Sequence, residues 1–213
     1  MALRSLLFDF DGLLCDTEEA ARTSWCELYA RHGHTFPGTV WQQMMGNPEG
    51  EAVAMRHLAD LIGRPLTGEE IADRRRRKAA LAAMAGLRPG VEQLLDAAAE
   101  RGLALAVVSG SGHDWVHGHL VRLNVAHWFT AVVTGDDEGR RKPAPDPYLL
   151  ALRAVGASAD EAVAFEDSPT GVHAALAAGI RCFAVPGPAG DPGDFPDVPI
   201  LKDLAAFLPE VTQ

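Results

Sequence analysis

Two aspartates one residue apart follow the first apolar stretch of the chain. In LLFDFDGLL, residues 6–14, Asp9 and Asp11 end a run that is typical of a buried strand. Because side chains alternate along a strand, the two carboxylates can face the same side. Two like charges this close repel each other unless a cation or a proton lies between them. The pair therefore indicates a metal site or a proton-transfer role.

Other polar residues lie where later strands are predicted to end. They are Ser109, Lys142, Glu166 and Asp167. Ligands of an open parallel sheet bind outside the carboxyl ends of its strands, so we expect these side chains to converge with the aspartate pair. Carboxylate oxygens suit Mg²⁺, whereas a lysine and a hydroxyl at a helix N-terminus suit a phosphate. Together these residues predict phosphoryl-transfer chemistry.

Strands and helices alternate in the second half of the chain. Short apolar strands are predicted at residues 3–10, 103–109, 131–135, 161–167 and 180–186. The helices between them begin at capping residues, such as Ser111 before a helix over 112–123 and Ser168 before a helix that starts at Pro169. A last helix is predicted near 201–208. The alternation predicts an α/β fold with a parallel sheet covered by helices on both faces.

The stretch over residues 16–86 follows a different pattern. Its apolar residues recur at helical spacing and glycines end the predicted helices, without a convincing strand. The sequence therefore predicts two domains. A discontinuous α/β core domain comprises residues 1–15 and 87–213, and a helical domain comprises residues 16–86.

Composition limits the location and the partners of the protein. Against 19 basic residues there are 29 acidic ones, and this net charge of -10 argues against a nucleic-acid partner. Cys15, Cys26 and Cys182 are odd in number and widely spaced, which fits a reducing compartment. No apolar run approaches the length of a membrane span. We expect a cytoplasmic protein without a membrane partner, as a monomer or weak homodimer.

Four motifs in order resemble the haloacid dehalogenase superfamily. They are DFDGLLCDTE, VVSGSG, RKPAPDPY and FEDSPTGVHAALAAGI, and they extend over nearly the whole chain. The resemblance is greatest to the phosphatase and phosphomutase branch, in which a small helical cap follows the first motif. It implies a Rossmann-like parallel sheet, with residues 16–86 as the cap domain.

The resemblance also implies a role for each motif residue. Asp9 would be the nucleophile that becomes an aspartyl-phosphate, and Asp11 would be the general acid and base. Ser109 and the amide of Gly110 would hold the transferring phosphoryl group, which Lys142 would neutralise. The implied ligands of Mg²⁺ are Asp9, Asp11 through its backbone carbonyl, Glu166 and Asp167.

Three functions fit these residues. The first is a Mg²⁺-dependent phosphatase acting on a small phosphorylated metabolite, such as a sugar phosphate. The second is a sugar phosphomutase of the β-phosphoglucomutase type, and the third is a non-enzymatic phospho-receiver module. The helical insertion argues against a receiver, because it would bury the acceptor aspartate from a partner. A dehalogenase would have no use for the second acid or for Mg²⁺.

Two positions favour the phosphatase over the mutase. In the β-phosphoglucomutase relatives that the sequence resembles, a histidine lies five residues after the DT aspartate and an arginine lies three after the cap-loop glycine. Here those positions are Ala21 and Glu49, the latter counted from Gly46. An acid repels the second phosphate that a mutase must hold. Arg22 or the RRRRK cluster (74–78) could compensate, although a solvated face is the default interpretation of that cluster.

Three histidines follow part of a metal-ligand spacing. His113, His117 and His119 lie in HDWVHGH. Zinc sites favour such histidines, but a partly exposed helix face is the favoured interpretation here.

Overall fold

Two units make up the chain. The computed structural model describes residues 2–45, 47, 49–137, 139–187 and 192–212. One unit contains Met1–Cys15 and Gly86–Gln213, and the other contains Asp16–Ala85. Gly46, from which position 49 is counted, lies outside the described residues.

The larger unit contains a five-stranded parallel sheet in the order β3-β2-β1-β4-β5. The strands are β1 (Ser5–Phe8), β2 (Ala104–Val108), β3 (Ala131–Val133), β4 (Ala162–Glu166) and β5 (Arg181–Ala184). Ser5 pairs with Ala104 on one side and with Ala162 on the other, so the first strand of the chain is the central strand of the sheet. The predicted α/β fold is confirmed.

Both faces of this sheet are covered, which explains why its strands are continuous apolar runs. On one face, Leu7 belongs to a buried cluster that includes Tyr148. On the other face, Phe8 stacks on Phe165 with 5.2 Å between ring centroids, and Phe207 meets Phe165 edge-on at 4.9 Å. Side chains that alternate along β1 and β4 thus fill both layers.

Helices of the sheet unit follow its strands. They are α5 (Val91–Glu100), α6 (His113–Arg122), α7 (Asp146–Val155), α8 (Pro169–Ala177) and α9 (Leu208–Val211). Ser168 caps α8 as predicted, accepting a hydrogen bond from the Gly171 amide at 3.2 Å. The prediction that Ser111 caps α6 is wrong. The N-cap is Gly112, and the carboxylate of Asp136 accepts from the first helical amide at 2.7 Å.

The last helix begins later than its sequence predicts. A 3₁₀ turn covers Leu204–Phe207 and α9 follows it. Residues 200 and 201 are instead held extended beside β5, because Ile200 forms a bridge with Ala184 and the Leu201 amide donates to the Ala184 carbonyl at 2.8 Å. The tertiary pairing therefore overrides the helical pattern of these residues.

Helices are the regular elements among the described residues of the smaller unit. They are α1 (Glu18–Arg31), α2 (Gly38–Met44), α3 (Gly50–Ile62) and α4 (Gly68–Ala82). Helix α1 packs on α4, and α2 packs on α3. A buried apolar cluster formed by α1, α2, α3 and the residue Phe36 contains Trp25, Leu28, Tyr29, Phe36, Val40, Trp41, Ala54 and Leu58. This unit therefore buries an apolar core of its own.

Each of the four arginines at 74–77 has a carboxylate partner within this helical unit. The pairs are Arg74–Glu51, Arg75–Glu51, Arg76–Asp73 and Arg77–Glu27. The prediction of a solvated face is wrong for Arg74, which is only 3 % exposed and lies 4.3 Å over the ring of Trp25. The Glu51 carboxylate, the Ser24 hydroxyl and the indole ring offset the cost of burying its charge.

None of the helices in the described part of the chain is both long enough and apolar enough to span a lipid bilayer.

Candidate active site

Lys142 ties together the ends of three strands. Its Nζ donates to Asp9 Oδ1 at 2.6 Å after β1, to the Val108 carbonyl at 2.7 Å at the end of β2, and to Glu166 Oε1 at 2.5 Å at the end of β4. An ammonium has three hydrogens, so all three are used. The backbone amide of Asp9 also donates to the Phe165 carbonyl at 3.0 Å. The carboxyl edge of the sheet thus fixes both partners of the Lys142–Asp9 pair.

Burial and charge act against each other at this pair. Burial raises the pKa of the Asp9 carboxyl well above its usual value; the Lys142 ammonium opposes this shift, whereas Glu166 adds to it. Burial alone would lower the pKa of Lys142, but the carboxylates of Asp9 and Glu166 outweigh it and raise that pKa. Lys142 therefore keeps its positive charge in the site.

Three buried carboxyl groups lie where a metal ion could bind. Asp9, Glu166 and Asp167 each offer one oxygen, and these oxygens lie within 4.8 Å of one another. Three carboxylates carry three negative charges, and Lys142 supplies one positive charge, so a divalent cation would balance the group. Glu166 Oε2 is buried and accepts no hydrogen bond from the described residues. An all-oxygen set of this kind fits Mg²⁺.

Asp11 lies beside this group, with its carboxylate held by other partners. Its Oδ2 accepts from the Ser111 hydroxyl at 2.6 Å and lies 3.5 Å from Ser109 Oγ. Its Oδ1 accepts from Trp115 Nε1 at 2.9 Å. The side chain of Asp11 is not part of the three-carboxyl group. The family resemblance implies that Asp11 binds the metal ion through its backbone carbonyl.

Ser109 and Gly110 form the turn that follows β2. The Ser109 amide donates to the Val133 carbonyl at 2.9 Å, and Ser109 Oγ accepts from the Ser111 amide at 3.0 Å. Ser109, Gly110 and Lys142 line one cleft at this edge of the sheet. The structure thus brings the predicted phosphate-binding residues to the same place as Asp9.

Arg88 supports the turn after the aspartate pair. Its guanidinium donates to the carbonyl of Gly12 and, at 3.1 Å, to that of Pro186. Gly12 has a φ of 81°, which favours glycine at this position. The Gly12 in the sequence indicates such a turn, whereas no local pattern indicates that Arg88 would reach it.

Tyr148 is a further site residue that sequence reasoning did not find. Its hydroxyl donates to Glu166 Oε1 at 2.5 Å, and its ring lies 5.3 Å from Lys142 Nζ. The side chain is fully buried, and burial raises its pKa well above the usual value, so the hydroxyl stays a donor. Tyr148 therefore holds the Glu166 carboxylate beside Lys142.

Tyr148→Phe is expected to weaken Mg²⁺ binding roughly tenfold, because Glu166 is a predicted ligand of the ion and the loss of its partner lets that carboxylate move. The free energy of unfolding should fall by about 1–2 kcal/mol for the lost hydrogen bond. Titration of activity with Mg²⁺ and chemical denaturation measure the two effects. Tyr29→Phe is the matched control, since it removes a hydroxyl that donates to the Ala54 carbonyl at 3.0 Å in the helical unit. Equal Mg²⁺ dependence in both variants would contradict this role.

The three histidines of α6 do not form a metal site with one another. Among the described residues, His113, His117 and His119 are not a group of converging ligands. The rings of His113 and His117 stack in an exposed position with 5.3 Å between centroids. His119 is buried instead of sharing that face, and it packs edge-on against Trp115 at 4.5 Å. The interpretation of an exposed face is therefore wrong for His119.

Known proteins resemble this chain over most of its length. The chain matches the profile of the haloacid dehalogenase-like hydrolase family over residues 6–185. It is 39 % identical to the protein YhcW of Bacillus subtilis over 185 residues, which are 86 % of this chain and 84 % of YhcW. It is 32 % identical to the fructose-1-phosphate phosphatase YqaB of Escherichia coli over 183 residues, which are 84 % of this chain and 95 % of YqaB.

A solved structure has the same fold. The crystal structure of CbbY from Rhodobacter sphaeroides in complex with phosphate superposes with a TM-score of 0.75. The two sequences are 28 % identical, and the match covers 96 % of each chain. The similarity therefore includes both the helical unit and the sheet unit.

Proposed function

This chain belongs to the haloacid dehalogenase-like hydrolase family, and on that premise we propose that it is a Mg²⁺-dependent phosphatase that forms an aspartyl-phosphate on Asp9. Its substrate is a small phosphorylated metabolite, a sugar phosphate or a similar monoester. One observation carries this proposal: Lys142 donates hydrogen bonds to Asp9 and Glu166, two of the three carboxyls in the buried group. A carboxylate becomes an adequate nucleophile toward phosphorus when such cations withdraw charge from the phosphate.

The chemistry needs two steps. In the first, a carboxylate oxygen of Asp9 attacks phosphorus, the bond to the leaving oxygen breaks, and Asp11 gives that oxygen a proton. In the second, Asp11 takes a proton from water as the water oxygen attacks the aspartyl-phosphate. Inorganic phosphate leaves and Asp9 is restored. One group thus acts as acid and then as base.

The other residues hold the phosphoryl group and its charge. Ser109 and the amide of Gly110 bind its oxygens, and Lys142 neutralises it while fixing Asp9. Asp9, Glu166 and Asp167 would hold Mg²⁺ with the Asp11 carbonyl, and the ion would supply further positive charge for the developing transition state. The three carboxyls against one lysine support this assignment.

We further propose that the helical unit is the cap of this enzyme. Its two connections to the sheet unit start side by side, since Cys15 and Leu87 form an antiparallel bridge.

Cys15, Cys26 and Cys182 are thiols without a disulfide, which supports the proposal of a reducing cytoplasm.

The phosphatase fits this chain better than the phosphomutase. A mutase must hold the second phosphate of a bisphosphorylated intermediate, for which Arg22 and the four arginines at 74–77 are the candidate cations. Each of the four already binds a carboxylate within the helical unit. Glu49, at the position of the expected arginine, adds a negative charge.

The test is a panel of phosphate monoesters assayed for release of inorganic phosphate. It includes fructose 1-phosphate, glucose 6-phosphate, β-glucose 1-phosphate and p-nitrophenyl phosphate. We expect release that requires Mg²⁺, ceases with EDTA and returns on addition of Mg²⁺. Conversion of β-glucose 1-phosphate to glucose 6-phosphate, faster than phosphate release and dependent on a bisphosphate primer, would instead identify a mutase. Inactivity on the whole panel with Mg²⁺ present would contradict the proposed substrate class.

A further inference from the structure

Helix α6 presents a connected row of side chains to Asp11. Trp115 donates from Nε1 to Asp11 Oδ1 at 2.9 Å. His119 packs edge-on against the Trp115 ring at 4.5 Å, and Arg122 lies 3.0 Å from His119 Nδ1. Residues four and three positions apart share one face of a helix, so this row is a continuous support. On the premise of the phosphatase function above, we propose that Trp115 is a positioning residue that holds the Asp11 carboxyl in one orientation, with Oδ2 toward Ser109.

The two oxygens of the Asp11 carboxyl have different partners. Oδ1 accepts from the indole of Trp115, which can only donate. Oδ2 lies 2.6 Å from the Ser111 hydroxyl, which can either donate or accept. The two hydrogen bonds therefore hold the carboxyl in one orientation, with Oδ1 at Trp115 and Oδ2 at Ser111.

Oδ2 is also the oxygen that faces the proposed phosphoryl site. It lies 3.5 Å from Oγ of Ser109, the residue assigned to hold the phosphoryl group. In the first step the proton passes from Oδ2 to the leaving oxygen as its bond to phosphorus breaks. In the second step Oδ2 takes a proton from the attacking water. By holding Oδ1, Trp115 keeps the carboxyl from rotating between the two steps.

The surroundings of Trp115 fix its indole in place. His119 is 8 % exposed, and its ring also lies 5.9 Å from that of Phe10, the residue before Asp11. The support therefore reaches both the indole and the backbone that carries the acid. These contacts also give a structural role to His119, the last histidine of HDWVHGH.

The experiment compares leaving groups. Trp115→Phe keeps an aromatic side chain but removes the N–H donor together with the pyrrole part of the indole, and the Trp128→Phe control makes the same change elsewhere. We measure kcat/KM on the sugar phosphate of the panel that the wild type hydrolyses fastest and on p-nitrophenyl phosphate. An alkoxide leaving group needs a proton, whereas nitrophenolate leaves readily without one, so a misplaced acid affects mainly the sugar phosphate. We expect kcat/KM to fall about tenfold on the sugar phosphate and less than about twofold on the aryl ester. The first loss is a fraction of the roughly 10²–10⁴-fold that a general acid contributes in total.

Two further variants calibrate this result. Asp11→Asn removes the acid itself and should give the same selectivity with a larger loss. Trp128→Phe changes another partly exposed tryptophan of the same unit, whose ring centroid lies 4.1 Å from that of His127, and should alter neither rate. Equal losses on both esters in Trp115→Phe, or no loss on the sugar phosphate, would overturn the role of Trp115.

A measurement without turnover separates this inference from the proposed function. The chain has four tryptophans, and the indole N–H resonance of Trp115 is identified by its absence from Trp115→Phe. Asp11→Asn should shift this resonance by weakening its acceptor, and an unshifted signal would overturn the contact. A wild type that hydrolyses no ester but shows the shift would refute the phosphatase function and keep the Trp115–Asp11 contact. If Trp115→Phe does not fold, the comparison of the wild type with Asp11→Asn still decides: one of the four indole N–H resonances should shift, and four unshifted resonances would overturn the contact.

Discussion

Asp9→Asn is expected to lower phosphate release by at least about 10³-fold, because an amide oxygen is a far weaker nucleophile than a carboxylate. The fold should persist, since the Asn carbonyl can still accept the hydrogen bond that Lys142 donates at 2.6 Å. The measurement is steady-state phosphate release at saturating Mg²⁺, together with the thermal unfolding midpoint of each protein.

An exposed aspartate of the same unit provides the control for this change. Asp197→Asn makes the same chemical substitution at the surface and should leave the rate within about twofold of the wild type, as surface substitutions usually do. A rate for Asp9→Asn within tenfold of the wild type would remove Asp9 from the role of nucleophile. Incubation of the wild type with substrate and acid quenching should also trap phosphate on the protein, and Asp9→Asn should trap none.

Gly171→Ala is expected to reduce activity about 100-fold through a single methyl group, as when a partner of a metal ligand is disturbed. A Cβ at this position would lie 1.9 Å from Glu166 Oε2 and 2.0 Å from its Cδ. Neither distance can be tolerated, so the carboxylate that binds Lys142 and Tyr148 must move. The substitution does not remove the backbone N–H of residue 171, which donates a hydrogen bond to the Ser168 hydroxyl.

Two opposing effects on stability follow from Gly171→Ala. Alanine in a helix is favoured over glycine by up to about 1 kcal/mol, whereas overpacking of a buried site costs about 1–3 kcal/mol. The second effect should dominate here, because the clash is with a fully buried carboxylate held by two hydrogen bonds. Chemical denaturation should therefore show a net loss of stability, with weaker Mg²⁺ activation.

Gly118→Ala is the matched control for Gly171→Ala. It makes the same change in α6, where a Cβ would meet nothing within 4 Å. It should stabilise the protein by up to about 1 kcal/mol and leave the rate unchanged. Wild-type activity and Mg²⁺ dependence in Gly171→Ala would show that Glu166 does not need its observed position.

The sequence predicts the strand ends better than it predicts what surrounds them. Asp9 and Lys142 are 133 residues apart, yet they meet because parallel strands place their carboxyl ends at one edge. That rule needs only the order of the elements. The same rule does not predict the contacts of Tyr148 and Trp115, because these depend on how α7 and α6 are rotated against the sheet.

Local rules also failed where a distant residue competed. Ser111 has the chemistry of an N-cap, but Asp136 reaches the first amide of α6 and the Ser111 hydroxyl binds Asp11 instead. Arg74 has the sequence context of a solvated charge, but Ser24, 50 residues away, and Glu51 enclose it. Such contacts are tertiary, so no window of neighbouring residues contains them.

The central place of β1 in the sheet has a consequence for biosynthesis. Both of its neighbours come much later in the chain, since Ser5 pairs with Ala104 and with Ala162. Contacts this distant in sequence form slowly, whereas residues 16–85 have a core of their own and can begin to fold first. Asp9 leaves the ribosome well before Glu166 and Asp167, which are added more than 150 residues later. The nascent chain therefore carries the proposed nucleophile long before its partners exist, and translation must pass residue 167 before the proposed reaction becomes possible.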